Sequence, residues 1–262
     1  MDESKVYRRD FFSEHADGSA RSAATVVPLV LSLVPASSVV DVGCGIGPWA
    51  AEFMAQGVAD VWGIDGDYVD RGQLRIPAEH FAARDLTKPL QFPRTFDLAV
   101  CLEVGEHLPA SRAAGLVADL TSLAPCVLFS AAVPRQGGAN HINEQYVPYW
   151  VDLFKKQGYE GIDPIRPRIL GNDAVEWWYQ QNVVMFAAPG HPLLAKGFPT
   201  PRSIIHQNLY EDLYARLTIG NLARVLPAAI GRSIRYHFGI SARAPMRTVA
   251  PSDPRDMRSG SA

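Results

Sequence analysis

Cysteine is scarce in this sequence. There are only three in 262 residues, Cys44, Cys101 and Cys126, and none lies at a metal-site spacing from another. An odd, scattered set argues against a disulfide framework. It fits buried thiols in a reducing compartment, so a cytoplasmic location is expected. Long apolar runs are missing too: none approaches the roughly 20 residues a membrane-spanning helix needs. The opening Met1-Asp2-Glu3-Ser4-Lys5 shows no signal-peptide pattern. Charge is modest, at 20% of residues with a net charge of −2, which is not a nucleic-acid-binding composition. No internal repeat is evident.

Apolar residues are plentiful, at 47%. That suits one α/β domain with an ordinary core and an appendage. The charge is unevenly spread: from Gly190 onward ten Lys/Arg face four Asp/Glu, leaving 15 against 23 before it. The basic end reads either as a solvated surface or as a site for an acidic partner or anionic lipid.

The chain is organised around Ser38–Trp49. Val39 to Val42 read as a buried strand, Gly43, Gly45 and Gly47 as a turn, and Trp49 to Gln56 as a helix closed by Gly57. Strand, glycine turn and helix make a nucleotide cradle, because glycine lets the backbone approach a ligand and the helix N-terminus offers free N–H groups. Ser19–Val34 predict a preceding helix, and Tyr7, Phe11 and Phe12 anchor an N-terminal arm over residues 1–18. Further strands are expected at Asp60–Ile64, Glu79–Ala83, Thr95–Leu102, Cys126–Val133, Tyr159–Ile165 and Asn182–Ala188. Ser111–Leu123 predict an amphipathic helix, and Asn143 a cap for a helix to about Gln157, with Tyr146, Tyr149, Trp150, Leu153 and Phe154 facing the core. Trp177-Trp178-Tyr179 read as core packing or as a wall of an acceptor pocket. Helical patterns follow at 206–218 and 221–238. The expected organisation is an arm (1–18), a main domain (19–189), a basic helical extension (190–248) and a disordered tail (249–262). The extension packs on the domain, forms a homo-oligomer seam, or lies on a membrane.

Asp41-Val42-Gly43-Cys44-Gly45-Ile46-Gly47 spells D-x-G-x-G-x-G. Asp65 ends the second strand and Arg84-Asp85-Leu86 the third. Together these resemble the class I S-adenosylmethionine-dependent methyltransferases. The resemblance implies a Rossmann-like, seven-stranded, mostly parallel sheet with helices on both faces. It also implies a cofactor site: Asp41, Gly43, Cys44, Gly45, Gly47 and Trp49 at the turn, Asp65 and Gly66 after the second strand, Asp85 and Leu86 after the third, Leu102 and Glu103 after the fourth. In that family the second acid takes the ribose hydroxyls and the third accepts from the adenine amino group. S-adenosylhomocysteine is the product. A dehydrogenase also uses G-x-G and an acid after the second strand, but the D-x-G-x-G-x-G spelling and the Asp85 segment argue against it.

Glu103-Val104-Gly105-Glu106-His107-Leu108 follows the fourth strand, where the reactive methyl belongs. If this segment coils helically, Glu103, Glu106 and His107 share a face, and a divalent cation would relieve their repulsion. E-x-x-E-H with a downstream His resembles the metal-dependent O-methyltransferases of the ubiquinone pathway and of small-RNA 2′-O-methylation. The metal set is then Glu103, Glu106, His107 and His141, holding Mg or Mn, although the surroundings of His141 depart from that pattern. Other members carry E-H-L without metal, and there the acid orients the cofactor's amino group. In that reading His141 is the first choice of base and His107 the second. With metal bound, the proton goes to solvent or Glu144. Both devices suit a hydroxyl acceptor. The acceptor expected by resemblance is a sugar or other small metabolite. RNA ribose methylation is the alternative within enzymes, opposed by the acidic main domain. A non-catalytic cofactor-binding partner is the alternative outside them, and the intact glycines argue against it.

Overall fold

The computed structural model describes residues 9–215, together with Gly220, Ala223, Leu226, Pro227, Ala229, Ile230, Gly231 and Ser233. The expected helix at 221–238 and the tail at 249–262 lie largely or wholly outside the described residues. Two compact units divide after Asp212. In chain order the elements are α1 (Arg9–Leu33), β1 (Ser38–Val42), α2 (Pro48–Ala55), β2 (Asp60–Asp65), β3 (Phe81–Ala83), β4 (Leu98–Leu102), α3 (Ala113–Leu123), β5 (Cys126–Ser130), α4 (Val147–Lys156), β6 (Glu160–Ile162), α5 (Arg166–Ile169), α6 (Trp177–Asn182), β7 (Val184–Ala187) and α7 (Gln207–Ala215).

The sheet has the order β3-β2-β1-β4-β5-β7-β6. All pairs are parallel except those of β7, which runs antiparallel to both β5 and β6. This is the Rossmann-like, mostly parallel seven-stranded sheet that the resemblance implied. Its strands are apolar on both faces, so each face needs a cover. Val39, Val61, Leu98 and Met185 pack with residues of α1, α2 and α6. Val40, Ile64, Val127 and Phe186 pack with residues of α3 and α4. Phe154 of α4 stacks on Phe186 of β7 with ring centroids 3.7 Å apart.

Several boundaries differ from expectation for identifiable reasons. α1 starts at Arg9, inside the expected arm. Glu79 lies in a short 3-10 turn at Ala78–His80, after Pro77, so β3 begins only at Phe81. β4 begins at Leu98; just before it the Asp97 carboxylate accepts from the backbone N–H groups of Ser37 and Ser38. β6 stops at Ile162, just before Asp163-Pro164. Asn143 is not the cap of α4: the helix starts at Val147 with Tyr146 as its N-cap. The Asn143 side chain instead donates to Gly105 O at 3.2 Å. Tyr146 therefore faces solvent, 51% exposed, rather than the core. In the aromatic cluster, Tyr179 is buried and Trp177 and Trp178 are half-buried on α6.

Candidate functional site

The carboxyl ends of β1, β2 and β4 meet at one edge of the sheet, beside the switch from β1 to β4. After β1, Gly43, Gly45 and Gly47 take φ of 81°, 55° and 84°, which glycine adopts without strain. At Gly43 a Cβ would stand 2.2 Å from Val104 Cγ2, so the β1 and β4 loops approach closely because this residue has no side chain. The Gly43 and Cys44 N–H groups both donate to Ile64 O, tying the turn to β2.

Asp65 ends β2 and is 5% exposed. Its carboxylate accepts from Gly45 N at 2.7 Å, Gly66 N at 2.6 Å and the Tyr68 hydroxyl at 2.6 Å. Burial raises its pKa, and these three donors oppose the rise. Asp41 lies in β1 and is 3% exposed. It accepts from Ala50 N–H, while its Oδ2 has no hydrogen-bond partner. Burial, with the charge of Asp65, pushes its pKa up to about 8.

A cavity of about 470 Å³ opens at this edge. Of the residues expected at the cofactor, Gly43, Gly45, Asp65, Gly66, Asp85, Leu86 and Glu103 line it, and so does His107. Asp41, Cys44, Gly47, Trp49 and Leu102 do not. Leu102 packs into the core from β4, and Trp49 donates its indole N–H to the Tyr179 hydroxyl at 3.3 Å. Cys44 is buried, and Gly47 is the left-handed N-cap of α2. Asp85 is half-exposed, accepting from Thr87 and Lys88, and these bonds hold its pKa below the usual carboxylate value. Asp65, Asp67, Asp85 and Glu103 face one arginine, Arg84, across the lining. Such walls suit a cationic ligand.

Glu103 to Leu108 do not coil into a helix. Glu103 takes φ of 54°, and Glu106 falls in a turn closed by His107 N donating to Val104 O. Glu103, Glu106 and His107 therefore do not share a helical face. The Glu103 carboxylate accepts from the Gln136 amide at 3.0 Å and the Asn182 amide at 3.1 Å. Burial raises its pKa against those bonds.

Glu106 is fully buried; its carboxylate makes no well-formed hydrogen bond and has only the backbone N–H groups of Ala132 and of Glu106 itself, and the Glu103 carboxylate, beside it. Burial and the charge of Glu103 drive its pKa well up. Among the described residues, Glu106, His107 and His141 bring ligand atoms within 4.8 Å of one another. Three of the four expected metal ligands thus converge, and Glu103 lies outside the group. The two imidazoles meet edge to face, 4.9 Å between centroids. Burial, with His141 beside it, lowers the His107 pKa to about 4. His141 Nδ1 lies 3.1 Å from the Glu144 carboxylate, which also accepts from Arg135 N and Gly137 N. A buried, weakly hydrogen-bonded carboxylate, two imidazoles and a carboxylate oriented behind one of them form a donor set that fits a small divalent cation.

The methyltransferase domain family matches residues 12–182. The chain belongs to this family. It is a class I S-adenosylmethionine-dependent methyltransferase. No curated protein sequence matches it significantly. The solved magnesium protoporphyrin IX methyltransferase of Synechocystis PCC 6803, with bound SAH, is similar at 19% identity, covering 68% of this chain and 87% of that one with a TM-score of 0.51. Streptomyces venezuelae DesVI is 23% identical over 53% of this chain and 61% of that chain, at a TM-score of 0.42. The methyltransferase domain of bacterial CtHen1-C is 18% identical over 65% of this chain and 98% of that chain, at 0.47. At such identities the likeness concerns the fold.

Sequence reasoning missed part of this methyltransferase site. Val104 and Leu108 line the cavity, and the apolar residues flanking Glu106-His107 were a signal for them. Gln136 and Asn182, which hold Glu103, carried no local signal.

Proposed function

We propose that this methyltransferase moves the methyl group of S-adenosylmethionine to a hydroxyl of a small acceptor, a sugar or glycoside first. The observation that carries the reading is the His141–Glu144 pair, set beside Glu106 and the cavity-lining His107. Within the cavity, Asp65 receives the ribose hydroxyls. Three protein donors occupy a carboxylate that offers about four acceptor positions. The Tyr68 hydroxyl, on a side chain 41% exposed, is the donor that a ribose hydroxyl can replace. Asp85 accepts from the adenine amino group, Leu86 covers the ring, and Glu103 accepts from the ammonium group of the amino-acid end. The excess of acids along the lining suits a ligand that is cationic at both sulfonium and ammonium.

Transfer is an in-line displacement. The acceptor oxygen bonds to the methyl carbon as the carbon–sulfur bond breaks, and the sulfur leaves as a neutral thioether. The hydroxyl proton must be removed, and a positioned imidazole contributes about 10²–10⁴-fold to such a step. Glu144 fixes the His141 tautomer by accepting from Nδ1–H, so Nε2 presents its lone pair. Gly138 keeps that nitrogen uncovered, because a Cβ there would stand 2.3 Å from it. His107 stays neutral at physiological pH and adds no positive charge beside the sulfonium. Glu106, His107 and His141 would hold a divalent cation, which supplies a lower hydroxyl pKa and charge stabilisation when bound.

The test is transfer of labelled methyl from S-adenosylmethionine to separate pools of small glycosides and RNA, with excess chelator and with added Mg or Mn. Label in the glycosides supports the acceptor class, and its loss on chelation supports the cation. Label confined to RNA overturns the acceptor. No label in any pool, with tight cofactor binding, favours a non-catalytic partner.

A further inference from the structure

The Glu103 carboxylate ends a chain of buried amides that runs in one direction. The backbone N–H of His206 donates to Gln181 Oε1 at 2.7 Å. Gln181 Nε2 donates to Gln136 Oε1 and to Asn182 Oδ1, each at 3.1 Å. Asn182 Nδ2 donates to Gln136 Oε1 at 2.9 Å and to Glu103 Oε1 at 3.1 Å. Gln136 Nε2 donates to Glu103 Oε2 at 3.0 Å. Every donor points towards the carboxylate, so the amides polarise one another in the sense that favours negative charge there.

The three amides are 6%, 0% and 1% exposed for Gln136, Gln181 and Asn182. Burying them costs more than burying apolar side chains of the same volume. They are also anchored independently. Arg166 Nη1 donates to Gln181 O at 2.9 Å, and Val133 N donates to Gln136 Oε1 at 3.2 Å. Glu103 itself sits at φ of 54°, uncommon for a residue with a Cβ, and its N–H is held by Ser130. The backbone points this carboxylate at the cavity wall, and the amides fix its orientation there. Gln136 donates to Oε2, Asn182 donates to Oε1 and, at 3.4 Å, to Oε2, and the Ser130 side chain bonds the carboxylate as well.

We infer that Gln136, Gln181 and Asn182 are positioning residues that fix the Glu103 carboxylate as acceptor for the cofactor's ammonium group, with the His206 segment closing the far end of the chain. This rests on the cofactor placement proposed above. The amide chain touches no part of the nucleoside half of the cavity. Its loss is therefore felt only by ligands that carry the amino-acid end.

Calorimetric titration of the full chain with S-adenosylhomocysteine and with 5′-methylthioadenosine, which lacks that end, tests this. Asn182→Ala and Glu103→Gln weaken S-adenosylhomocysteine binding by roughly ten- to a hundredfold. Gln181→Met, one link removed from Glu103, weakens it severalfold. All three leave methylthioadenosine affinity within about twofold, and that retained binding shows that the variants fold. If Asn182→Ala does not fold, the volume-matched Gln181→Met carries the comparison. Equal losses for both ligands, or no loss for either, overturn the positioning role. Wild type that binds neither ligand takes down the cofactor cavity as well, so the two failures are distinguishable.

Discussion

Replacing Asp41 by asparagine should change how stability depends on pH. Asp41 is buried beneath the glycine turn, and its pKa is pushed from 3.8 to about 8. Between those values the folded protein holds a proton that the unfolded chain has lost. The contribution is therefore fully present below about pH 4 and is lost as pH rises through 8. The slope is about 1.4 kcal/mol per pH unit until the folded group itself begins to ionise, so about 2 kcal/mol disappears between pH 6 and pH 8, and little more above pH 9. Asparagine has no proton to lose, and its carbonyl can still accept from Ala50 N–H. The stability of Asp41→Asn relative to wild type should thus rise by about 2 kcal/mol over that range. Urea unfolding at pH 6, 7, 8 and 9 measures it. Glu103 and Glu106 also have raised pKa values, but both proteins contain them, so they drop out of the difference. Parallel curves for the two proteins would show that Asp41 is ionised in the folded state at neutral pH.

Asp65→Ala should weaken S-adenosylhomocysteine binding by about 1.5–3 kcal/mol, the worth of hydrogen bonds to a charged group, and a calorimetric loss of only a few tenths would move the ribose contact elsewhere. Gly43→Ala should reduce stability and cofactor affinity together, since its Cβ would stand 2.2 Å from Val104 at a left-handed φ; an unchanged thermal midpoint would show that the β4 loop yields. Phe154→Ala removes the ring stacked on Phe186 and should cost about 3–5 kcal/mol in urea unfolding, with a cost under 1 kcal/mol refuting a rigid core there. Glu106→Ala should abolish methyl transfer if the cation is required, and an active variant indifferent to chelator would leave His141 as base without metal.

The sheet was legible because it is built from local signals. Val39–Val42, Val61–Ile64 and Cys126–Ser130 are apolar on both faces, and only a doubly covered parallel sheet accommodates such runs. The glycine turn was legible because three glycines at alternate positions leave few backbone solutions. What escaped depends on distant partners. Asn143 looked like a helix cap, but its amide N–H donates to Gly105 O and its Oδ1 accepts from the Gln145 side chain. Glu103, Glu106 and His107 would share a face only if their segment coiled helically, and it forms a turn instead, with Val104 packed close to Gly43. Asn182 reaches Glu103 across 79 residues of sequence, and no local pattern marks such a pair.

Asp41, Asp65, Glu103 and Glu106 stand among the carboxylates at this edge of the sheet, and the donors around each one sort their charges. Asp65 has two backbone N–H groups and a phenol, and Glu103 has two amides. Both line the cavity, where a cationic ligand adds to the stabilisation. Asp41 and Glu106 lie outside the lining, and each has carboxylate oxygen without a well-formed hydrogen bond. Burial drives both pKa values up, because the few backbone N–H groups beside them only partly replace the lost water. Their neighbours then separate them. Asp41 is surrounded by backbone and core and is satisfied by a proton. Glu106 faces two imidazoles whose ring nitrogens are donors or acceptors as their protonation allows. A proton on Glu106 neutralises one group, whereas a divalent cation engages all three at once. Of the two, Glu106 is therefore the acid that stands where the proposed cation would be held.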